Sequence, residues 1–261
     1  MWAENIFHNP FTLSFTIFGK IMKTRFLSIL VFVGLALGFF TCNKTILTTP
    51  TLLRVVNVYP GSTAQDMYLD GTLQTPSGIA YGLKDYNYSI QPGTYNFKIA
   101  PAGTTNYNTD DNIDFGAGKN YLMFLLHVGD TLQPEAAQVV LPTLGFDTSG
   151  IRFFDFIPNS KALDIAFHAE SYYNTNVFYF DTTYKVYTNR YYNDQYTLPT
   201  YKNFYRLPAG QYNFKMRYAG TTKAVDSMEL SLAPGKSYTI YARGFMDSSA
   251  VPAVIIDTIV H

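Results

Sequence analysis

Polar and apolar residues alternate along TYNFKIA (94–100) and again along QYNFKMR (211–217). Period two sends Tyr95, Phe97 and Ile99 to one face and Thr94, Asn96 and Lys98 to the other. It does the same for Tyr212, Phe214 and Met216. Such alternation predicts strands with one buried face. A turn precedes each run, Pro92-Gly93 in one and Pro208-Ala209-Gly210 in the other, where glycine supplies backbone angles closed to other residues. FGAGKNYLMFLLHV and LAPGKSYTIYARGF each read as a Gly-containing turn followed by a long strand. With LLRVVNVY, DMYLDG and AAQVVLP, the chain reads as strands divided by turns at roughly 8–12-residue spacing. No amphipathic helix of useful length follows residue 50.

The pattern occurs twice. QPGTYNFKIAPAGTT (91–105) returns as PAGQYNFKMRYAGTT (208–222) at an offset of 117, and Gly118, Lys119 and Tyr121 return as Gly235, Lys236 and Tyr238. Upstream, LRVVNVYPGSTAQDMYLD (53–70) pairs with IRFFDFIPNSKALDIAFH (151–168) at an offset of 98, so Arg54 falls on Arg152 and Asp66 on Asp164. The difference between the offsets places an insertion in the second copy, at 171–205. These observations predict an all-β protein of two tandem immunoglobulin-like β-sandwich domains, 51–146 and 148–261.

Ahead of them, residues 22–41 read as a signal peptide. Lys23 and Arg25 precede an apolar run from Phe26 to Phe40, and Cys42 follows it. A basic start and about 15 apolar residues make a secretory signal, and a spanning helix wants about 20. The segment resembles a bacterial lipoprotein signal, which makes Cys42 the lipidated first residue of the mature chain and 42–50 a linker. Phe39 and Thr41 depart from the Leu and the small residue usual before such a cysteine, and an ordinary cleavage site beside a chance cysteine is the competing reading. Residues 1–21 read as an over-extended start, with translation beginning at Met22. Export without a second cysteine leaves the domains no disulfide. The lipid would then hold the protein to the outer membrane or the cell surface.

RVVNVYPGSTAQDMYLDG, QPGTYNFKIAPAGTT and GAGKNYLMF resemble the bacterial family catalogued as domain of unknown function 4397. The resemblance runs over nearly all of 50–261, as two copies. The second copy departs from it, with Asp155 for Asn57, Asn159 for Gly61, and His168-Ala169 for Asp70-Gly71. It implies a surface lipoprotein of unassigned function and brings no catalytic residues.

Candidate chemistry is sparse. Lys+Arg and Asp+Glu balance at 19 each with no basic stripe, which argues against nucleic acid as a partner. The four histidines lack zinc spacing, no nucleophile elbow or phosphate loop appears, and nothing implies a cofactor. Asp110, Asn112 and Asp114 alternate as calcium ligands could, but Phe115 and Tyr121 stand where an EF-hand needs Gly and Glu, so the expectation is a polar strand without metal. The anomaly is the insert, which holds ten of the 22 tyrosines. It reads as an extra hairpin, Val177–Phe180 and Tyr184–Tyr187, projecting from the second domain, with Tyr191, Tyr192 and Tyr196 as ligand contacts beside Asn193, Asp194 and Gln195. Tyrosine combines an apolar ring with a polar tip, as interfaces use. The rings could equally cover the insert's own neighbours. These features point to a non-catalytic envelope lipoprotein that binds a glycan or an envelope protein as an adhesion module. The alternative is a structural accessory subunit of an envelope assembly. A polysaccharide-acting enzyme fits least, because no acid, base and nucleophile set can be named.

Overall fold

The alternating runs fold as strands, as their period dictates. The computed structural model describes residues 49–83, 86–129, 131–172, 179–246 and 252–261. The first half supplies β1 (Thr51–Asn57), β2 (Gln65–Leu69), β3 (Thr72–Leu73), β4 (Tyr86–Ile90), β5 (Gly93–Pro101), β6 (Thr109–Phe115), β7 (Asn120–Val128) and β8 (Thr131–Gln138). The second supplies β9 (Thr148–Phe156), β10 (Leu163–Tyr172), β11 (Tyr179–Arg190), β12 (Tyr205–Pro208), β13 (Gly210–Tyr218), β14 (Ala224–Leu232), β15 (Ser237–Arg243) and β16 (Ile255–Val260). A single helical turn, α1 (Asp194–Thr197), and a 3-10 turn (Pro199–Lys202) lie between β11 and β12.

Each half is a pair of four-stranded sheets, and the fold class is all-β sandwich. In the first half the orders are β4-β1-β7-β8 and β3-β2-β5-β6; in the second they are β12-β9-β15-β16 and β11-β10-β13-β14. β1 runs parallel to β7, and β9 runs parallel to β15. Phe97, Ile99, Met67 and Met123 meet in the first core, and Phe214, Met216, Ile165 and Phe153 in the second. Phe97 and Phe214 are both fully buried, where the alternation puts them.

A third core joins the halves. Val56, Val58, Leu122, Phe124 and Leu126 pack against Phe154, Phe156, Tyr241 and Ile259. The rings of Phe124 and Phe156 lie 4.4 Å apart, and Phe124 meets Tyr241 at 5.4 Å. The contributing sheets are therefore covered on both faces. That is why β9 and β15 are buried almost throughout and read as near-continuous apolar runs. Thr48–His261 form one compact unit.

The insert is built differently from the expected projecting hairpin. Residues 179–190 are one strand, so no turn falls between Phe180 and Tyr184. β11 pairs with β10 from Tyr172↔Tyr179 to Leu163↔Arg190, at the edge that the two-residue β3 occupies in the first half. The added residues lengthen an existing edge strand. Residues 177 and 178 of the expected hairpin lie outside the described residues, as does Cys42 with the apolar run before it.

Candidate functional site

The repeated residues hold turns. Gly103 and Gly220, both at positive φ, donate their N–H groups to Asp66 Oδ2 (2.8 Å) and Asp164 Oδ2 (2.9 Å). The Tyr121 hydroxyl accepts from Gly116 N at 3.0 Å, and the Tyr238 hydroxyl accepts from Ala233 N at 2.8 Å. Tyr95 and Tyr212 each donate to the carbonyl four residues back, Gln91 and Pro208, at 2.8 Å. Thr104 and Thr221 bond the carbonyls of Pro101 and Tyr218. A buried carbonyl or N–H left unpaired in a turn is costly, and these side chains satisfy them locally. The motif that occurs twice is scaffold, so residues that differ between the halves are where a site should be sought.

The largest difference follows β11. Arg190 is fully buried and grips Asp194 through two bonds, Nε to Oδ2 at 2.7 Å and Nη2 to Oδ1 at 2.6 Å. Its guanidinium lies over the Tyr201 ring at 4.1 Å, and Asp194 Oδ2 also accepts the Tyr191 N–H at 3.0 Å. Asn193 starts α1 in the left-handed region, and its N–H donates to the Asp155 carbonyl at 2.8 Å. This paired charge fixes α1 to the body of the second half.

The three tyrosines expected to make contacts separate on this anchor. Tyr191 is 54% exposed and Tyr196 is 71% exposed. Tyr192 is half-buried: it packs against the third core and donates its hydroxyl to the His127 carbonyl in the other half. Its side chain joins the halves. Tyr205, on β12, is 53% exposed and was not singled out from the sequence, because a lone ring in a short edge strand carries no periodic signal. Asn193 and Gln195 bond each other at 2.6 Å, and Gln195 is buried, so neither stands beside the exposed rings as a free polar group.

The acidic run lies on the edge strand β6. Asp110 accepts Asn96 Nδ2 at 2.6 Å and pairs with Lys98 at 3.1 Å; these bonds hold its carboxyl below the usual range. Asp114 accepts the Thr94 hydroxyl at 3.2 Å. Among the described residues no group of three His, Cys, Asp or Glu could hold a metal ion. His168 lies 3.2 Å from Arg217 Nη2 on the sheet face, and the His127 ring tilts against Tyr59 at 4.6 Å.

At the seam between the halves, Glu135 and Lys202 form an ion pair at 3.3 Å. Arg243 pairs with Asp257 at 2.7 Å and lies over Tyr81 of the first half at 4.5 Å. Asp155 is fully buried, and burial pushes its carboxyl up to about 7.

Residues 51–166 match the family model described as Domain of unknown function (DUF4397). The match supports the family that the motifs resemble; it covers the first half and reaches β9 and the start of β10. No curated protein sequence matches the chain. Among solved structures, a candidate cell adhesion protein from Bacteroides eggerthii aligns at 9% identity, covering 82% of this chain and 95% of its own, with a TM-score of 0.24. A carbohydrate-binding module (family CBM26) of Eubacterium rectale Amy13K, in complex with maltoheptaose, aligns at 9% identity over 82% of this chain and 96% of its own, with a TM-score of 0.21. At such scores neither likeness carries an argument.

Proposed function

We propose that this protein is a non-catalytic lipoprotein of the cell envelope, made of two tandem copies of one domain, and that the second copy binds a glycan or an envelope protein. The observation that carries the reading is the exposure of Tyr191 and Tyr196 on a segment held by the buried Arg190–Asp194 pair. Tyrosine combines an apolar ring with a polar tip, as interfaces use, and a held segment loses little freedom on binding. The two-copy reading is supported by the same sheet orders and the same turn hydrogen bonds at offsets of 98 and 117. The first copy completes its sandwich with a two-residue β3, so the lengthened β11 and α1 are not required by the scaffold.

The test is a glycan array and an envelope-protein capture with residues 48–261, wild type against Tyr191→Ser/Tyr196→Ser. The double variant should keep its melting temperature and lose binding. Equal binding by both proteins would remove this surface from consideration. Anchoring at Cys42 is supported by its place directly after Phe26–Phe40. Mass spectrometry of detergent-extracted protein should find a diacylated or triacylated N-terminal peptide that begins at Cys42; an unmodified peptide beginning elsewhere contradicts it.

A further inference from the structure

Two guanidinium groups stand at the seam, and no ion pair among the described residues involves either. Arg152 is fully buried between the rings of Phe154 and Phe204, whose centroids lie 5.0 and 4.5 Å from Cζ. Its Nε donates to Thr239 Oγ1 at 2.8 Å and its Nη1 to the Lys202 carbonyl at 3.0 Å, while Nη2 has no hydrogen-bond partner. Burial lowers its pKa only to about 10, so it stays charged at neutral pH. Arg54, its counterpart 98 residues earlier, donates Nε to Asn87 Oδ1 at 2.7 Å and Nη1 to the Val260 carbonyl at 3.4 Å. Between them stands His261, with Nε2 2.9 Å from Thr239 Oγ1. Burial and then the two arginines push its pKa down to about 4, so its ring is neutral at neutral pH.

A cleft of about 280 Å³ opens here, lined by Arg54, Asn87 and His261 at its polar side and by Leu52, Leu141 and Val260 among its apolar residues. The three apolar side chains are exposed, unlike their core neighbours. Arg54 is half-buried at the mouth, with its bonds to Asn87 and Val260 open to water, and the apolar wall beside it strengthens its pull on any anion that enters. The guanidinium fork fits a carboxylate by shape as well as charge. Only Arg54 of the two arginines lines the cleft, which suits one singly charged head. The volume lies just below the range of drug-sized pockets, which suits a small ligand.

We propose that the seam cleft binds a small amphipathic carboxylate, its head on Arg54 and its aliphatic body along Leu52, Leu141 and Val260. The site is separate from the tyrosine surface and does not depend on it.

Calorimetric titration of residues 48–261 with octanoate tests this, with octanol and octylammonium as controls. Octanoate should bind one to one, at least tenfold more tightly than octanol, and octylammonium should not bind. Arg54→Gln should weaken octanoate at least tenfold without moving the melting temperature. Should that variant fail to fold, Leu141→Glu, at an exposed position, places a repelling charge at the mouth and should weaken octanoate while sparing octanol. Octanoate that binds no better than octanol, or binding unchanged in a folded variant, overturns the proposal, as does an absence of heat at millimolar octanoate.

Discussion

Asp155 stands where the first half has Asn57, and its carboxyl group meets the same donors. Ile157 N–H donates to Oδ1 at 2.9 Å and the Ser160 hydroxyl to Oδ2 at 2.7 Å; Asn57 Oδ1 accepts from Tyr59 N–H and from the Ser62 hydroxyl. An amide at this site carries no charge to desolvate. The carboxyl group does, and burial is the largest cause of its rise to about 7; Asp194 adds to the rise, while Ser160, Ile157 and Arg190 oppose it. The native protein therefore keeps the Asp155 proton up to about pH 7, whereas the unfolded chain releases it near the ordinary value of about 3.9. Between those limits the native state binds more protons, so stability falls as pH rises from about 4 to about 7 and then levels, at up to about 1.4 kcal/mol per unit. Asp155→Asn should abolish that decline and raise stability at neutral pH. Urea unfolding of both proteins across this window checks it; parallel profiles would show that the carboxyl is not buried as described.

At the scale of elements, the strands with one wet face were legible and those without were not fully so. β5 and β13 alternate strictly, and their inward residues are the ones named from period two. In β7, β9 and β15 the apolar runs YLMFLLHV, IRFFDFI and YTIYA hold no such alternation, because a second layer covers their outer face. The runs carried the signal of double burial, but not the identity of the covering partner. The β11 error has a different cause. FDTTYKVYT alternates well enough to be a strand from end to end, yet nothing local says whether it folds on itself or on β10. Long-range pairing decided it. The candidate site was half legible: the density of tyrosine marked the right segment, but which rings face water depends on the Arg190–Asp194 pair. That i,i+4 pair is visible in the sequence only to a reader who already knows that a helical turn stands there. The seam cleft was not legible at all, since its residues come from β1, β4, β7, the segment after β8, and β16 with the residue that follows it.

Across the whole molecule, the halves meet through equivalent faces. Arg54, Val56 and Val58 correspond to Arg152, Phe154 and Phe156 at an offset of 98, and Phe124 corresponds to Tyr241 at an offset of 117. Phe124 touches Phe154, Phe156 and Tyr241, so one ring at the centre joins both sandwiches. Truncating it leaves a cavity that neither sheet can close alone, and Phe124→Ala should cost about 3–5 kcal/mol in chemical unfolding. A loss below about 1 kcal/mol would mean that the seam does not hold the halves together.

The proposed function implies one division of labour, in which the residues of the repeat and the seam hold the fold and the exposed residues added to the second half are the binding surface. The most direct measurement compares melting temperature and ligand binding for Phe124→Ala and for Tyr191→Ser/Tyr196→Ser, using whichever glycan or envelope protein the wild type captures. The account predicts opposite outcomes: Phe124→Ala melts well below the wild type yet binds normally while folded, and the tyrosine double variant melts with the wild type yet does not bind. A double variant that unfolds, or one that binds as the wild type does, would contradict it.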